Sequence, residues 1–270
     1  MAWAPLTADD VFRASRAFAE PFSNLKRCRE ELHEMHRARL LGRAAIPDTG
    51  RGQKPFAYYL ARGAMTLVPA VADIPKSNTV FHGLGKNPWH ALATGEFWSL
   101  FEGWAAEHAE IKILERIRDR QFVANVKDYG KLIPDGTVLV DINGRRKVFF
   151  LELVNETGVI NPGAEASRPR SLTGKLERYR AFREARKNHP TWQRLEKAYG
   201  PIGGFQVLIV TTRRNCEYLI SAAEGSKTMF LFAQLEELRS RGCIFEEPIW
   251  WLPRSPWRRR GPERTRLLEH

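Results

Sequence analysis

The stretch that decides the fold reads L-I-P-D-G-T-V-L-V-D-I-N-G-R-R-K-V-F-F-L-E-L-V-N-E-T-G over residues 132–158. A polar loop follows, and then S-L-T-G-K-L-E-R-Y over residues 171–179. Two β-rich runs flank Asn143-Gly144, a strong two-residue hairpin signal. Gly144 allows positive φ, and Val138, Val140, Val148 and Phe150 are strand formers. Each run carries an acidic residue of interest: Asp135 where the first strand begins and Glu152 well along the second. Carboxylates from adjacent strands can converge on one hard cation, which prefers oxygen ligands. Such a metal polarises a phosphate and lowers the pKa of a bound water.

Pro134-Asp135 and the later Glu152 resemble the core of the PD-(D/E)XK nucleases. That pattern places a lysine two residues after the second acid, where this chain has Val154. Lys175, on the helix that follows, is the candidate replacement. The longer string F-F-L-E-L-V-N-E-T-G, followed by K-L-E-R-Y, is similar to the replication-relaxation family of plasmids and mobile elements. That family couples a winged helix-turn-helix to a PD-(D/E)XK-like domain, and its acidic residue two places after the glutamate is again Val154 here. The resemblance implies double-stranded DNA as partner and a role in plasmid replication or mobile-element maintenance. It implies Asp135, Glu152 and Lys175 as catalytic residues if the site is active. Asp135, Glu152 and Glu110 would then be the ligands of magnesium or manganese.

Net charge is +12 over 270 residues, and arginine dominates the cations. A polyanion is the expected partner. A hydrophobic share of 43% supports a sizeable core. No apolar run reaches membrane-spanning length and the N-terminus lacks a signal pattern, so a soluble cytoplasmic protein is expected. Cys28, Cys216 and Cys243 are odd in number and far apart, suiting neither a disulfide framework nor a zinc site. Glycine-rich phosphate loops and G-x-S-x-G are absent, which leaves nucleotide and serine hydrolysis without support.

Toward the N-terminus, Thr7 with Asp10 forms a capping-box candidate for a first helix. Ser23 is expected to cap a second helix over about 24–39. There Leu25, Cys28, Leu32 and Met35 recur on one face, and Lys26, Arg27 and Arg29 crowd the first turns. Strands at about 43–46 and 55–60 enclose a loop carrying Arg51 and Lys54. Helix, basic helix and basic-tipped hairpin is the order of a winged helix-turn-helix, which sets a helix in the major groove. Such a domain has a further helix before the first. Either the domain is truncated, or later sequence supplies the support, or a second subunit does so in a homodimer.

The expected organisation is a winged helix-turn-helix over 1–65, a connector over 66–90, a PD-(D/E)XK-like domain over 91–253, and a basic tail with a tag remnant over 254–270. The fold class is α/β (α+β overall), with a mixed sheet. Residues 94–118 read as a long helix with a break near Glu110. The loop before Ser171 carries Arg168 and Arg170. The helix from there to about Lys187 carries Lys175, Arg178 and Arg186, a broad basic face for DNA. Phe205 to Thr211 is a continuous apolar run, read as a strand buried on both faces. Two function classes remain: a DNA-binding protein whose nuclease-like domain has lost chemistry, and a divalent-metal endonuclease.

Overall fold

The expected capping box at Thr7 is present. Its hydroxyl accepts from the Asp10 amide at 3.2 Å, and Asp10 Oδ2 accepts from the Thr7 amide at 3.0 Å. In the computed structural model, which describes residues 5–46, 56–61, 64, 87–117, 122–154, 172–212, 217–223, 226, 229–241, 243–253 and 263–269, the chain forms two compact units. They span residues 1–107 and 108–270.

The first unit runs β1 (Leu6–Thr7), α1 (Ala8–Ala14), α2 (Leu25–Arg37), β2 (Leu41–Ala45), β3 (Phe56–Leu60) and α3 (Pro88–Glu107). Its three strands lie in the order β1-β3-β2, all antiparallel. Asn24, and not Ser23, caps α2: its side-chain oxygen accepts from the Arg27 amide at 2.9 Å. Cys28 and Leu32 bury one face of α2 against Ala8, Val11 and Phe12.

Helix α3 belongs to the first unit. It packs on α1, and Gly103 lets the two backbones approach: a Cβ there would lie 3.1 Å from the Arg13 carbonyl. Leu92 packs with Ile46 and Ala57. The apolar residues expected to open the second domain therefore belong to the first unit, whose boundary falls at Glu107. The helix also ends there, short of Arg118. Residues 111–117, I-K-I-L-E-R-I, form a strand, because β-branched residues at 111, 113 and 117 favour an extended chain that can pair.

The second unit contains β4 (Ile111–Ile117), β5 (Ala124–Val126), β6 (Gly130–Leu132), β7 (Gly136–Ile142), β8 (Arg145–Val154), α4 (Leu172–Ala185), α5 (Pro190–Tyr199), β9 (Gly204–Thr211), α6 (Glu217–Ala222), β10 (Phe230–Gln234), α7 (Leu235–Ser240), β11 (Trp250–Trp251) and β12 (Arg264–Thr265). Its main sheet has seven strands in the order β12-β11-β10-β9-β8-β7-β4, and β5 and β6 form a separate pair. The turn at Asn143 and Gly144 has φ of 52° and 80°, as a two-residue hairpin of primed type requires. It joins β7 and β8 antiparallel, with Ile142 opposite Arg145. Strand β9 is parallel to both β8 and β10 and buried along most of its length, as its apolar run implied. The chain is thus a mixed α+β protein with a large mixed sheet.

The row Leu139, Val148, Phe150, Val207, Ile209 and Phe230 packs against Leu176, Tyr179 and Phe182 of α4 and Trp192 and Leu195 of α5. Helix α5 was missed in the sequence, although Pro190 at its first turn and the Trp192, Leu195, Tyr199 spacing mark it. Part of the tail joins the main sheet. Arg264 and Thr265 pair with β11, and Leu267 is buried, because pairing satisfies the open edge of Trp250–Trp251. Residues 254–262 lie outside the described residues, as do Arg51, Lys54 and most of the expected connector.

Asp10 ties this first unit together: beyond the cap, its Oδ1 accepts from Arg13 and from Ser99 of α3, each at 3.3 Å. Asp10→Ala removes the reciprocal half of the capping box, leaving the Thr7 amide without its carboxylate, and takes one hydrogen bond each from Ser99 and Arg13. It should destabilise the first unit by about 2 kcal/mol in chemical denaturation.

Candidate functional site

Strand alternation builds the site. Along β8, Val148 and Phe150 face α4, so Glu152 two residues on faces it too. Helix periodicity answers from the other side: Lys175 and Tyr179 are four apart and share one face of α4. Asp135 stands just before β7, opposite the same end of β8. Its amide donates to the Leu151 carbonyl at 3.0 Å, and its Oδ2 accepts from the Leu153 amide at 2.8 Å. The sequence-predicted trio of Asp135, Glu152 and Lys175 therefore converges.

Lys175 Nζ contacts Glu152 Oε2 and lies 4.0 Å from Asp135 Oδ2. The Tyr179 hydroxyl donates to Glu152 Oε1 at 2.8 Å. Glu152 is only 2% exposed. Burial, opposed by Lys175, pushes its carboxyl up to about 7. Burial would lower the Lys175 ammonium, but Glu152 and Asp135 outweigh it and hold the lysine above its ordinary value. Burial and the neighbouring Glu152 carboxylate also raise the Tyr179 phenol, which keeps it a hydrogen-bond donor. Tyr179 was not among the site residues expected from the sequence; its spacing from Lys175 was the signal for a place in the site.

Magnesium or manganese would need lone pairs of both carboxylates directed at one ion. Glu152 has one oxygen on the Tyr179 phenol and the other on the Lys175 ammonium. That ammonium stands between the two acids, where the ion would sit. No acidic residue stands at 154 to add charge. As placed, Lys175 neutralises the carboxylate pair, and Asp135 and Glu152 would hold a divalent ion only with the ammonium displaced from between them.

The third proposed ligand is not brought to this site. Glu110 lies in the turn before β4, and its carbonyl accepts from the Asn143 amide at 3.0 Å. Because β4 runs antiparallel to β7, that is the far end of β7 from Asp135, roughly 20 Å away at the rise of an extended strand. The misplacement follows from reading 108–117 as helix.

Of the residues proposed for DNA, Lys26, Arg27 and Arg29 are exposed on α2. Arg27 pairs with Glu31, and Arg29 lies 3.6 Å from Asp9. Lys26 has no ion pair among the described residues. Exposed pairs of this kind are weak and exchangeable for phosphate. Arg178 is a correction: it is 7% exposed, and its Nε donates to the Tyr129 carbonyl at 2.9 Å, so it braces α4 against the turn between β5 and β6. Arg168 and Arg170 lie outside the described residues.

Arg186 lines a cavity of about 200 Å³ with Lys147, Arg183, Gly203, Gly204 and Gln206. Lys147, absent from the sequence reading, is the most informative of them. Burial lowers its ammonium to about 8, and its hydrogen bond is to the neutral Gln206 side chain at 3.3 Å. Three cations around one concavity suit an anion such as phosphate. Lys147 escaped the sequence reading because R-R-K after a hairpin turn reads as a solvated strand end.

No family model, no curated protein and no solved structure matches this chain. Among the described residues, no helix is long and apolar enough to cross a membrane.

The carboxyl of Glu152 makes a pH prediction for the protein in chelator. Its folded value of about 7 exceeds its ordinary value of 4.5, so the folded state keeps a proton that the unfolded chain has lost. That stabilising contribution is complete below pH 4.5 and disappears as pH rises through 7. The stability of the wild type relative to Glu152→Gln should therefore fall across that window and level off above it, read by urea denaturation at a series of pH values.

Proposed function

We propose that the chain is a DNA-binding protein of the replication-relaxation type, acting in replication or maintenance of a plasmid or mobile element. Its first unit is read as a winged helix-turn-helix and its second as a PD-(D/E)XK-like domain that has lost cleavage chemistry. The observation that carries this reading is the Lys175 ammonium seated between Asp135 and Glu152. The two acids come from the strand start and the following antiparallel strand, as the resemblance implies, while the lysine comes from the crossover helix in place of the strand position held by Val154. The lysine that neutralises the pair stands in the ion's place.

Several features support the DNA partner. The first unit has a helix, a second helix with exposed cations, and a hairpin, with the strand before the first helix joining the same sheet. Helix α2 carries four Lys or Arg against three Glu, so its own field is weak, and binding needs further phosphate contacts. The cavity of Lys147, Arg183 and Arg186 is a candidate for one of them. The chain's +12 charge supplies the long-range attraction.

Replacement of Lys26, Arg27 and Arg29 together by alanine should weaken duplex binding. It should also lower the slope of log affinity against log salt by about one unit for each phosphate that α2 no longer engages. Fluorescence anisotropy over a salt series measures both, and unchanged affinity and slope would remove α2 as the DNA reader.

Lys175 separates binding from catalysis. The binding reading expects the purified protein to leave linear, supercoiled and single-stranded DNA intact with magnesium or manganese. Lys175→Ala should then lower affinity only modestly. Metal-dependent cleavage that Asp135→Asn, Glu152→Gln and Lys175→Ala each abolish, with affinity nearly intact, would replace this reading by a divalent-metal endonuclease.

A further inference from the structure

We propose that His108, Cys243 and Glu246 bind a divalent cation of the zinc class at the end of the second unit's sheet opposite Asp135 and Glu152. One ligand atom from each of the three can be chosen so that all lie within 4.8 Å of one another. His108 Nε2 is 3.0 Å from Cys243 Sγ, while Glu246 Oε1 lies 3.5 Å from the other ring nitrogen, Nδ1, so the Glu246 carboxylate must swing toward the Nε2 side to share an ion with the sulfur. Neighbouring ligands around tetrahedral zinc are separated by roughly 3.3–3.6 Å, given the usual bond lengths. Side-chain rotations bring the set to that spacing, and Glu246, the one exposed group of the three, has the freedom to make the largest of them.

The topology that assembles the cluster is separate from the one that builds the carboxylate pair. His108 stands three residues before β4, at the far end of β7 from Asp135. Strand β10 runs parallel to β8 and β9, toward the Asp135 end, and α7 follows it directly. The chain after α7 then places Cys243 and Glu246 beside His108.

Donor chemistry selects the ion. A thiolate and an imidazole disfavour magnesium and calcium and suit zinc, cobalt or a similar metal. The surroundings favour ligation. The Phe245 amide donates to Cys243 Sγ at 3.4 Å, a bond that stabilises charge on sulfur. The Phe245 ring meets His108 edge to face with centroids 6.2 Å apart, restraining the imidazole. Glu110 Oε1 lies 3.5 Å from Nδ1. A carboxylate on Nδ1 leaves Nε2, the nitrogen facing sulfur, to the metal, the usual support for a ligating histidine. Glu110 thus acquires a place in a metal site, but not the one its sequence position suggested. Three protein ligands leave the fourth tetrahedral position to solvent, and Glu246 is exposed.

Cobalt substitution tests this in the full-length protein. After chelator treatment and dialysis, one equivalent of Co²⁺ should give a thiolate-to-cobalt charge-transfer band in the near ultraviolet, together with the visible bands of tetrahedral cobalt. Zinc should bleach both. Cys243→Ser should lose the charge-transfer band and Cys28→Ser should keep it, since Cys28 is fully buried with its sulfur near the Ala8 carbonyl. If Cys243→Ser does not fold by circular dichroism, Glu246→Gln at the surface takes its place and should weaken cobalt binding by at least about tenfold. No band in the wild type, a band that survives Cys243→Ser, or unchanged affinity in Glu246→Gln would overturn the site. The band reports sulfur ligation, so an ion at Asp135 and Glu152 neither produces nor removes it, and the outcome is independent of the proposed function.

Discussion

A carboxylate sealed into a sheet-helix interface has to be neutralised, and in this protein that requirement falls on Glu152. Burying an unpaired charge costs several kcal/mol even after relaxation. Strand β8 carries Glu152 on the same face as Val148 and Phe150, under α4, with no access to bulk water. The interface is therefore stable only with a cation and a donor within reach. Lys175 and Tyr179 supply both from one face of one helix. Their need for Glu152 sets the rotation of α4 about its own axis, and with it the packing of Leu176 and Phe182 onto Phe150 and Phe205.

The same contact bears on chemistry. An ammonium is a compact single charge, and it has closed the space between two acids that a doubly charged ion would otherwise bridge. Removing the lysine would leave two carboxylates facing one another, a far better cation site than the pair as it stands. One side chain thereby separates a neutralised, stable scaffold from a metal-loaded one. The fold needs no rearrangement to serve either purpose, since Asp135 is held by backbone bonds to Leu151 and Leu153 whatever stands opposite it.

The two ends of the large sheet are chemically unlike. At one end an oxygen pair is filled by lysine. At the other, nitrogen, sulfur and oxygen donors gather where β4 begins and the chain leaves α7. Antiparallel pairing of β4 with β7 separates them, and that pairing also takes Glu110 away from Asp135 and gives it to His108.

Local chemistry made much of this legible in the sequence. The turn at Asn143-Gly144, the capping box at Thr7, the buried run from Phe205 to Thr211 and the helix carrying Lys175 each depend on a few adjacent residues, so their patterns carried the information. The meeting of Asp135, Glu152 and Lys175 was also within reach, because strand alternation and helix periodicity aim all three at one interface. What the sequence could not decide was anything set by a distant partner. Residues 108–117 became a strand because β7 offered hydrogen bonds, and α3 joined the first unit because α1 offered an apolar face. Arg178 turned inward to the Tyr129 carbonyl, Lys147 became a half-buried cation in the cavity it shares with Arg183 and Arg186, and Cys243 found His108 across 135 positions. Sequence by itself determined the elements and the faces they present, since those follow from side-chain spacing. Tertiary structure decided which face meets which, because burial and pairing energies belong to contacts that no local window contains.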